Sequence, residues 1–317
     1  MRIDAHMHIN FRNISTQNII DYLNKHKYDC CWLMTWEDAS PEKWNIQNLP
    51  IENVYDAFLR HPTRIIPMYA PDPQCNDAPG KLLTWCSRGV RGCAELKTTV
   101  NWRSDKLKRL LNAVLKVKMP VVFHMENRPE VLANLKTDTR LEVVLLKILQ
   151  SGRLKGIPKR ILEMVAEVCA PLERWKKQRT LFPGYKLDFA SLRVVLKEYP
   201  MIRFIGHGPL FWQHIFADEG KNACAQQQGI VRKEGLTCSF LRNYPNLYAD
   251  ISAPSGFHAL NRDHAFSRRF LSEFSNKLLF GTDNYPLGHE DLLNSLRLGP
   301  KIMKQLMGAN AEQILMG

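Results

Sequence analysis

Arg2-Ile3-Asp4-Ala5-His6-Met7-His8 opens the chain, and the fold turns on how it is read. Its first residues read as the end of a β-strand. Side chains of a strand alternate between two faces, so His6 and His8 project the same way, one pleat apart. By the same spacing Asp4 precedes them on that face, deeper along the strand. Two imidazoles side by side at the C-terminal end of a strand can hold one divalent ion. An HxH triplet alone is weak evidence, and the rest of the chain decides what it means.

Working outward, short β-branched and aromatic runs alternate with helix-period segments. The expected strands are residues 2–5, 30–34, 65–69, 90–95, 120–124, 202–206, 247–251 and 278–282. Ser15 or Thr16 can cap the helix that follows the first strand. Ser104, Asp188 and Asn261 can cap helices at 106–118, 189–199 and 265–274. Eight strands alternating with helices describe an α/β chain folded as a (β/α)8 TIM barrel. The connection between His124 and Ile202 is far longer than one helix needs, and it contains Pro158, Pro171, Pro183 and Gly184. Residues 129–185 are therefore expected to form a helical insertion after strand 5, a lid or subdomain within a single 1–317 barrel.

The composition bounds the function. At 317 residues and 45% hydrophobic, the chain can bury a large core. No apolar run reaches the roughly 20 residues of a membrane span, and no leader-like apolar segment precedes the first strand, so a cytoplasmic protein with no membrane partner is expected. The eight cysteines form no CxxC pair and several lie in apolar runs, which suits free thiols in a reducing compartment. The net charge of +13 suits an anionic partner. Much of the excess falls in residues 153–179, where eight Lys/Arg face three Glu.

In a barrel of this kind the active site lies at the C-terminal ends of the strands. Strand 1 ends in His6 and His8, strand 4 in Glu95 with Lys97 two residues on, strand 5 in His124, strand 6 in His207 and strand 8 in Asp283. So many ligand-type residues at one rim are hard to explain as core filling. Glu95 and Lys97 share a face and can form an ion pair that holds the rim together. Alternatively Glu95 binds metal or substrate, which leaves Lys97 for an anionic substrate. Trp36 and Arg128 lie just past strands 2 and 5 and are candidate substrate contacts. Asp250, near the end of strand 7, can orient a ligand histidine.

Asp-Ala-His6-Met-His8, Val-Phe-His124, Ile-Gly-His207-Gly and Phe-Gly-Thr-Asp283, in this order, resemble the amidohydrolase superfamily of metal-dependent barrels. The nearest likeness is to its amidohydrolase-2 branch, the aminocarboxymuconate-semialdehyde-decarboxylase-like enzymes. The resemblance spans the chain, including a closing helix near 302–315. It implies that His6, His8, His124 and Asp283 are metal ligands. His207 would be an acid/base or carbonyl-polarising group beside one ion, or a ligand where there are two. Glu95 would take the place of the carboxylate that bridges two ions. One or two divalent ions are implied, zinc first and manganese second, because nitrogen and oxygen ligands without thiolate suit both. The expected function is a metal-dependent hydrolase of a small anionic molecule such as a lactone, amide or carboxylated ring. Non-oxidative decarboxylation or hydration on the same ligands is the alternative. A TatD-type deoxyribonuclease shares the ligand order, but the long insertion would crowd a nucleic-acid groove, which argues against nucleic acid as a partner. A homodimer is compatible with such a barrel, though no apolar stripe identifies an interface.

Overall fold

A computed structural model describes residues 1–37, 48–126, 183–184, 186–217, 229–285 and 287–316. Among the described residues, eight parallel strands alternate with helices: β1 Ile3–His8, β2 Cys30–Met34, β3 Ile65–Pro67, β4 Cys93–Leu96, β5 Val121–His124, β6 Phe204–His207, β7 Leu247–Asp250 and β8 Leu278–Leu279. The ladders run β1-β2-β3 and β4-β5-β6-β7-β8, every pairing parallel. Backbone hydrogen bonds join the two runs at both seams. Between β3 and β4, Arg91 N donates to Pro67 O and Tyr69 N to Gly92 O, both at 2.9 Å. Between β8 and β1, Ala5 N donates to Phe280 O at 2.9 Å and Asp283 N to His6 O at 2.8 Å. The sheet is thus the expected (β/α)8 barrel. The helical insertion at 129–185, its basic stretch and Arg128 lie essentially outside the described residues.

The helices among the described residues are α1 Thr16–His26, α2 Ile51–Arg60, α3 Ala78–Ser87, α4 Asp105–Lys116, α5 Phe189–Glu198, α6 Pro209–Gln213, α7 Leu236–Asn243, α8 Ala253–Asn261, α9 His264–Glu273, α10 His289–Ser295, α11 Pro300–Lys304 and α12 Asn310–Met316. Strand alternation sorts the core into two layers. Cys30, Trp32 and Met34 of β2, with Val122, Ile205 and Leu279, fill the barrel interior. Cys31 and Leu33, with Val121, Phe123, Phe204 and Leu278, pack outward against the helices. The closing helix of the sequence reading is broken: a π turn over Gln305–Ala309 separates α11 from α12. Gly308 abuts the Met1 carbonyl there, where a Cβ would collide, so the bend seats the barrel floor against the start of β1.

The caps follow the sequence with two corrections. Ser15 closes a capping box with Asn18, and Asp188 accepts from Ser191 N at 2.7 Å. Ser104 occupies the cap position of α4, but its side chain makes no capping bond. Asn261 does not cap α9, because it is the last residue of α8. Asp263 does so instead, accepting from Phe266 N at 3.0 Å and Val231 N at 2.8 Å. Asp263→Ala is expected to cost about 1 kcal/mol in urea unfolding. Partial burial pushes the Asp263 carboxyl up, but these N–H donors outweigh it and hold it below the ordinary carboxylate value. Its contribution should therefore be complete above about pH 4 and fade as pH falls through the lowered folded value. A cost that did not change in acid would refute this.

The described cysteines Cys30, Cys31, Cys75, Cys86, Cys93 and Cys238 are free thiols. Among the described residues, no helix is long and apolar enough to cross a membrane.

Candidate metal centre

Regular strand alternation would not deliver the rim residues to one place. The β1–β2 register slips by one residue between Asp4 and Met7, and the β4–β5 register slips between Cys93 and Leu96. Each slip sets one extra residue against its partner strand, as a β-bulge does. Ile3 and Ala5 line the barrel interior while Met7 packs outward, so His6 and His8, on either side of Met7, both turn inward. The extra residue also corrects the expectation for Asp4, since a one-residue shift exchanges the faces. Asp4 points outward instead of sharing the face of His6. There it accepts from the Tyr22 hydroxyl of α1 at 3.2 Å and from Thr282 Oγ1 at 2.7 Å. In β4, Ala94 lines the interior and Leu96 packs outward, and the bulge lets Glu95 face inward as well. His124 and His207 are register partners on β5 and β6, which sets them at one level of the mouth.

The structure brings His6, His8, Glu95, His124, His207 and Asp283 together, all buried. His6 Nε2 and His8 Nε2 stand 3.1 Å apart. Glu95 Oε2 lies 3.7 Å from His6 Nε2 and 3.3 Å from His8 Nε2. Asp283 Oδ1 lies 3.7 Å and 3.2 Å from the same two nitrogens. The other oxygen of Glu95 serves a second set: Oε1 is 2.9 Å from His124 Nδ1 and 3.6 Å from His207 Nε2.

The backs of the imidazoles show which atoms are free to ligate. His8 Nδ1 donates to the Met34 carbonyl at 3.1 Å, so its Nε2 carries the lone pair. His6 Nδ1 and His207 Nδ1 meet the two oxygens of Asp250 at 3.1 Å and 2.9 Å. Asp250, suggested by the sequence as an orienting carboxylate, thus holds two histidines at once. His124 is turned the other way, with Nε2 on Glu126 at 2.9 Å and Nδ1 inward. Glu126, Ser252 and Asn284 are the contributors that the sequence reading did not single out. Ser252 Oγ donates to Asp250. Glu126 and Ser252 each stand two residues past a site residue, a period-2 signal that could have flagged them.

Two close approaches depend on glycine. Gly208, at φ 97°, lets the β6 end run beside Met125 and His124, where a Cβ would collide with backbone. A Cβ on Gly281 would stand 2.9 Å from His6 Cβ.

Do these residues fit a divalent ion? Glu95 Oε2 and Asp283 Oδ1 are buried and make no hydrogen bond. Such orphans are costly unless something positive meets them. Lys97 Nζ is 2.9 Å from Glu95 Oε2, an ion-pair contact without hydrogen-bond geometry. Burial opposes charge on Asp250 and Glu95, yet the neighbouring cationic groups hold both well below the ordinary carboxylate range. Burial also opposes charge on His6, yet Asp250 and Glu95 raise it well above the ordinary imidazole value. The pocket favours positive charge, and a divalent ion would take the place of protons there: His6, His8 and Asp283 offer N and O ligand atoms within 4.8 Å of one another, as do Glu95, His124 and His207. The residues fit.

The remaining candidates are placed as follows. Lys97 is almost fully buried, with Nζ 3.7 Å from the centre of the Trp36 ring. Trp36 packs edge-on against His8, ring centres 4.6 Å apart. His289 begins α10, and its Nε2 donates to Ala253 O.

No family model matches the sequence, and no curated protein matches it. Solved structures do match in fold over the full length. One is described as a probable 2-pyrone-4,6-dicarboxylic acid hydrolase from Acinetobacter baumannii with citric acid bound. It has a TM-score of 0.53 and 12% identity, and the match covers 100% of this chain and 99% of that one. The 5-carboxyvanillate decarboxylase of Sphingomonas paucimobilis gives 0.54 at 10% identity, covering 99% and 98%. A dihydroxybenzoic acid decarboxylase from Polaromonas, with bound manganese and the inhibitor 2-nitroresorcinol, gives 0.54 at 13%, covering 99% and 96%. The chain has the barrel of these hydrolases and decarboxylases.

Proposed function

We propose that the chain is a metal-dependent enzyme of the amidohydrolase-2 type acting on a small anionic substrate, with hydrolysis as the first reading. One observation carries this: His6 Nε2, His8 Nε2, Glu95 Oε2 and Asp283 Oδ1 converge, and neither oxygen makes a hydrogen bond, although the Lys97 ammonium stands beside Glu95 Oε2. These four groups would hold the ion, with zinc the first candidate and manganese the second. When bound, a divalent ion supplies Lewis acidity and brings the pKa of water to about 7. The chain supplies the rest. Asp283 takes up the proton of the attacking group and passes it to the leaving group. His207, held by Asp250, polarises the scissile carbonyl with Nε2. Lys97, close to the site, attracts the substrate's negative charge, and Trp36 fixes the position of its ammonium. Arg128, just past strand 5, would add a bidentate contact to a substrate carboxylate. The same groups serve decarboxylation, for which the substrate's carboxylate is the group lost.

A second ion is favoured by the two-sided placement of Glu95, whose Oε1 faces His124 and His207. Metal analysis of the purified protein by mass spectrometry, beside Glu95→Ala, tests both readings. Two equivalents falling to one would establish a two-ion site bridged by Glu95, favouring hydrolysis or phosphodiester cleavage. One equivalent in both proteins would leave His207 free as acid/base and keep decarboxylation open. No metal, even after reconstitution, overturns the proposal.

A further inference from the structure

Beyond Asp283, whose N donates to His6 O, the backbone leaves the seam with β1. Asp283 and Asn284 both adopt the left-handed region, with φ of 54° and 59°, and Tyr285 N returns to Thr282 O at 3.0 Å. Asp and Asn are among the few residues that tolerate this conformation. The turn aims the Asp283 carboxylate into the mouth, but it removes the backbone that would have paired with His8. The Asn284 side chain replaces it. Its Oδ1 accepts from His8 N at 3.0 Å, and its Nδ2 donates to His8 O at 2.6 Å. Asn284 is buried, so little water is available to take over these bonds.

This amide therefore satisfies both main-chain groups of His8, from the residue next to Asp283. The His8 imidazole is held from the other side by Met34 O. His8 and Asp283 come from opposite ends of the chain, and the side-chain amide of the residue next to Asp283 joins their main chains. We infer that Asn284 is a positioning residue that sets the spacing between His8 Nε2 and Asp283 Oδ1, now 3.2 Å, and so the metal affinity of the site. The inference rests on the proposed metal site. Its basis in physical terms is that outer partners which fix a ligand's position typically govern about 10–100-fold in metal affinity.

Asn284→Gly keeps the freedom to adopt φ > 0 and deletes only the clamp. Asn284→Asp keeps that conformation and the bond from His8 N, but sets a carboxylate oxygen against the His8 carbonyl. Cobalt(II) is the probe, with affinity measured by chelator competition and ligand geometry by the visible absorption bands. Asn284→Gly should bind cobalt about 10–100-fold more weakly, with a shifted visible spectrum, and Asn284→Asp should fall between it and wild type. Asp263→Ala, at a cap that bonds Phe266 and Val231 and none of the ligands, should lower the melting temperature and leave affinity and spectrum unchanged. Wild-type affinity and spectrum in Asn284→Gly would overturn the inference and leave the metal site standing. If that variant does not fold, unchanged cobalt binding by Asn284→Asp would overturn it instead. A wild-type protein that binds no cobalt would overturn the proposed function together with the inference.

Discussion

His6→Ala combined with His8→Ala is expected to take the purified protein from about one or two bound ions per chain to none, with the barrel still folded. Both imidazoles are fully buried and aim Nε2 at the two orphaned carboxylate oxygens. Without them the first ligand set is reduced to Glu95 and Asp283, two oxygens, which cannot complete a tetrahedral site. The fold should survive because neither imidazole belongs to the two apolar layers. The double variant also removes two nitrogens that face each other at 3.1 Å. It does free one Asp250 oxygen, so a measurable loss of stability is expected. Metal content by mass spectrometry, read beside far-UV circular dichroism, separates the two effects. Zinc should also raise the melting temperature of the wild type, by about 2.7 kcal/mol of stability at a hundred times Kd, and leave that of the double variant unchanged. Stoichiometric metal retained in a folded double variant would sink the ligand assignment.

Much of this site is legible in the sequence, because a barrel puts chemistry at one end of every strand. Each of the eight expected strands matches an observed one in place and order, and β2 matches residue for residue. Ligand-type residues at strand ends then had to share a rim. Faces were harder. The outward turn of Asp4 depends on a bulge that exists only in the pairing of β1 with β2, and no single-strand periodicity contains that pairing. The grouping of Glu95 with both histidine pairs depends likewise on the slip between β4 and β5. Caps were legible where one residue had one role, as with Asp188, and misread where two helices met, as with Asn261 and Asp263. Asn284 could not have been found from sequence, because its importance comes from a turn that removes the backbone partner of a residue some 276 positions away.

Asp283→Asn should lower kcat by about 10²–10⁴-fold, the range for loss of a positioned acid/base, and change KM little. Asparagine accepts the φ of 54° that this position imposes, and it is nearly isosteric, so the turn to Asn284 and the aim of the side chain should be kept. It also still offers an oxygen where Oδ1 now stands beside His8. What it loses is the negative charge and the capacity to take up a proton, while His207, whose Nε2 lies 3.9 Å from Asp283 Oδ2, is left in place. The wild type is first screened against lactones, amides and carboxylated aromatic rings. The variant is then assayed on the hits with metal in excess and its content verified. A fall in kcat at full metal occupancy assigns the proton transfer to Asp283, because an interaction made only in the transition state appears in kcat and not in KM. Near-normal turnover at full occupancy would refute that role. It would leave Asp283 as a ligand only and move the search for the base to His207, whose Nε2 faces Glu95 Oε1 and Asp283 Oδ2.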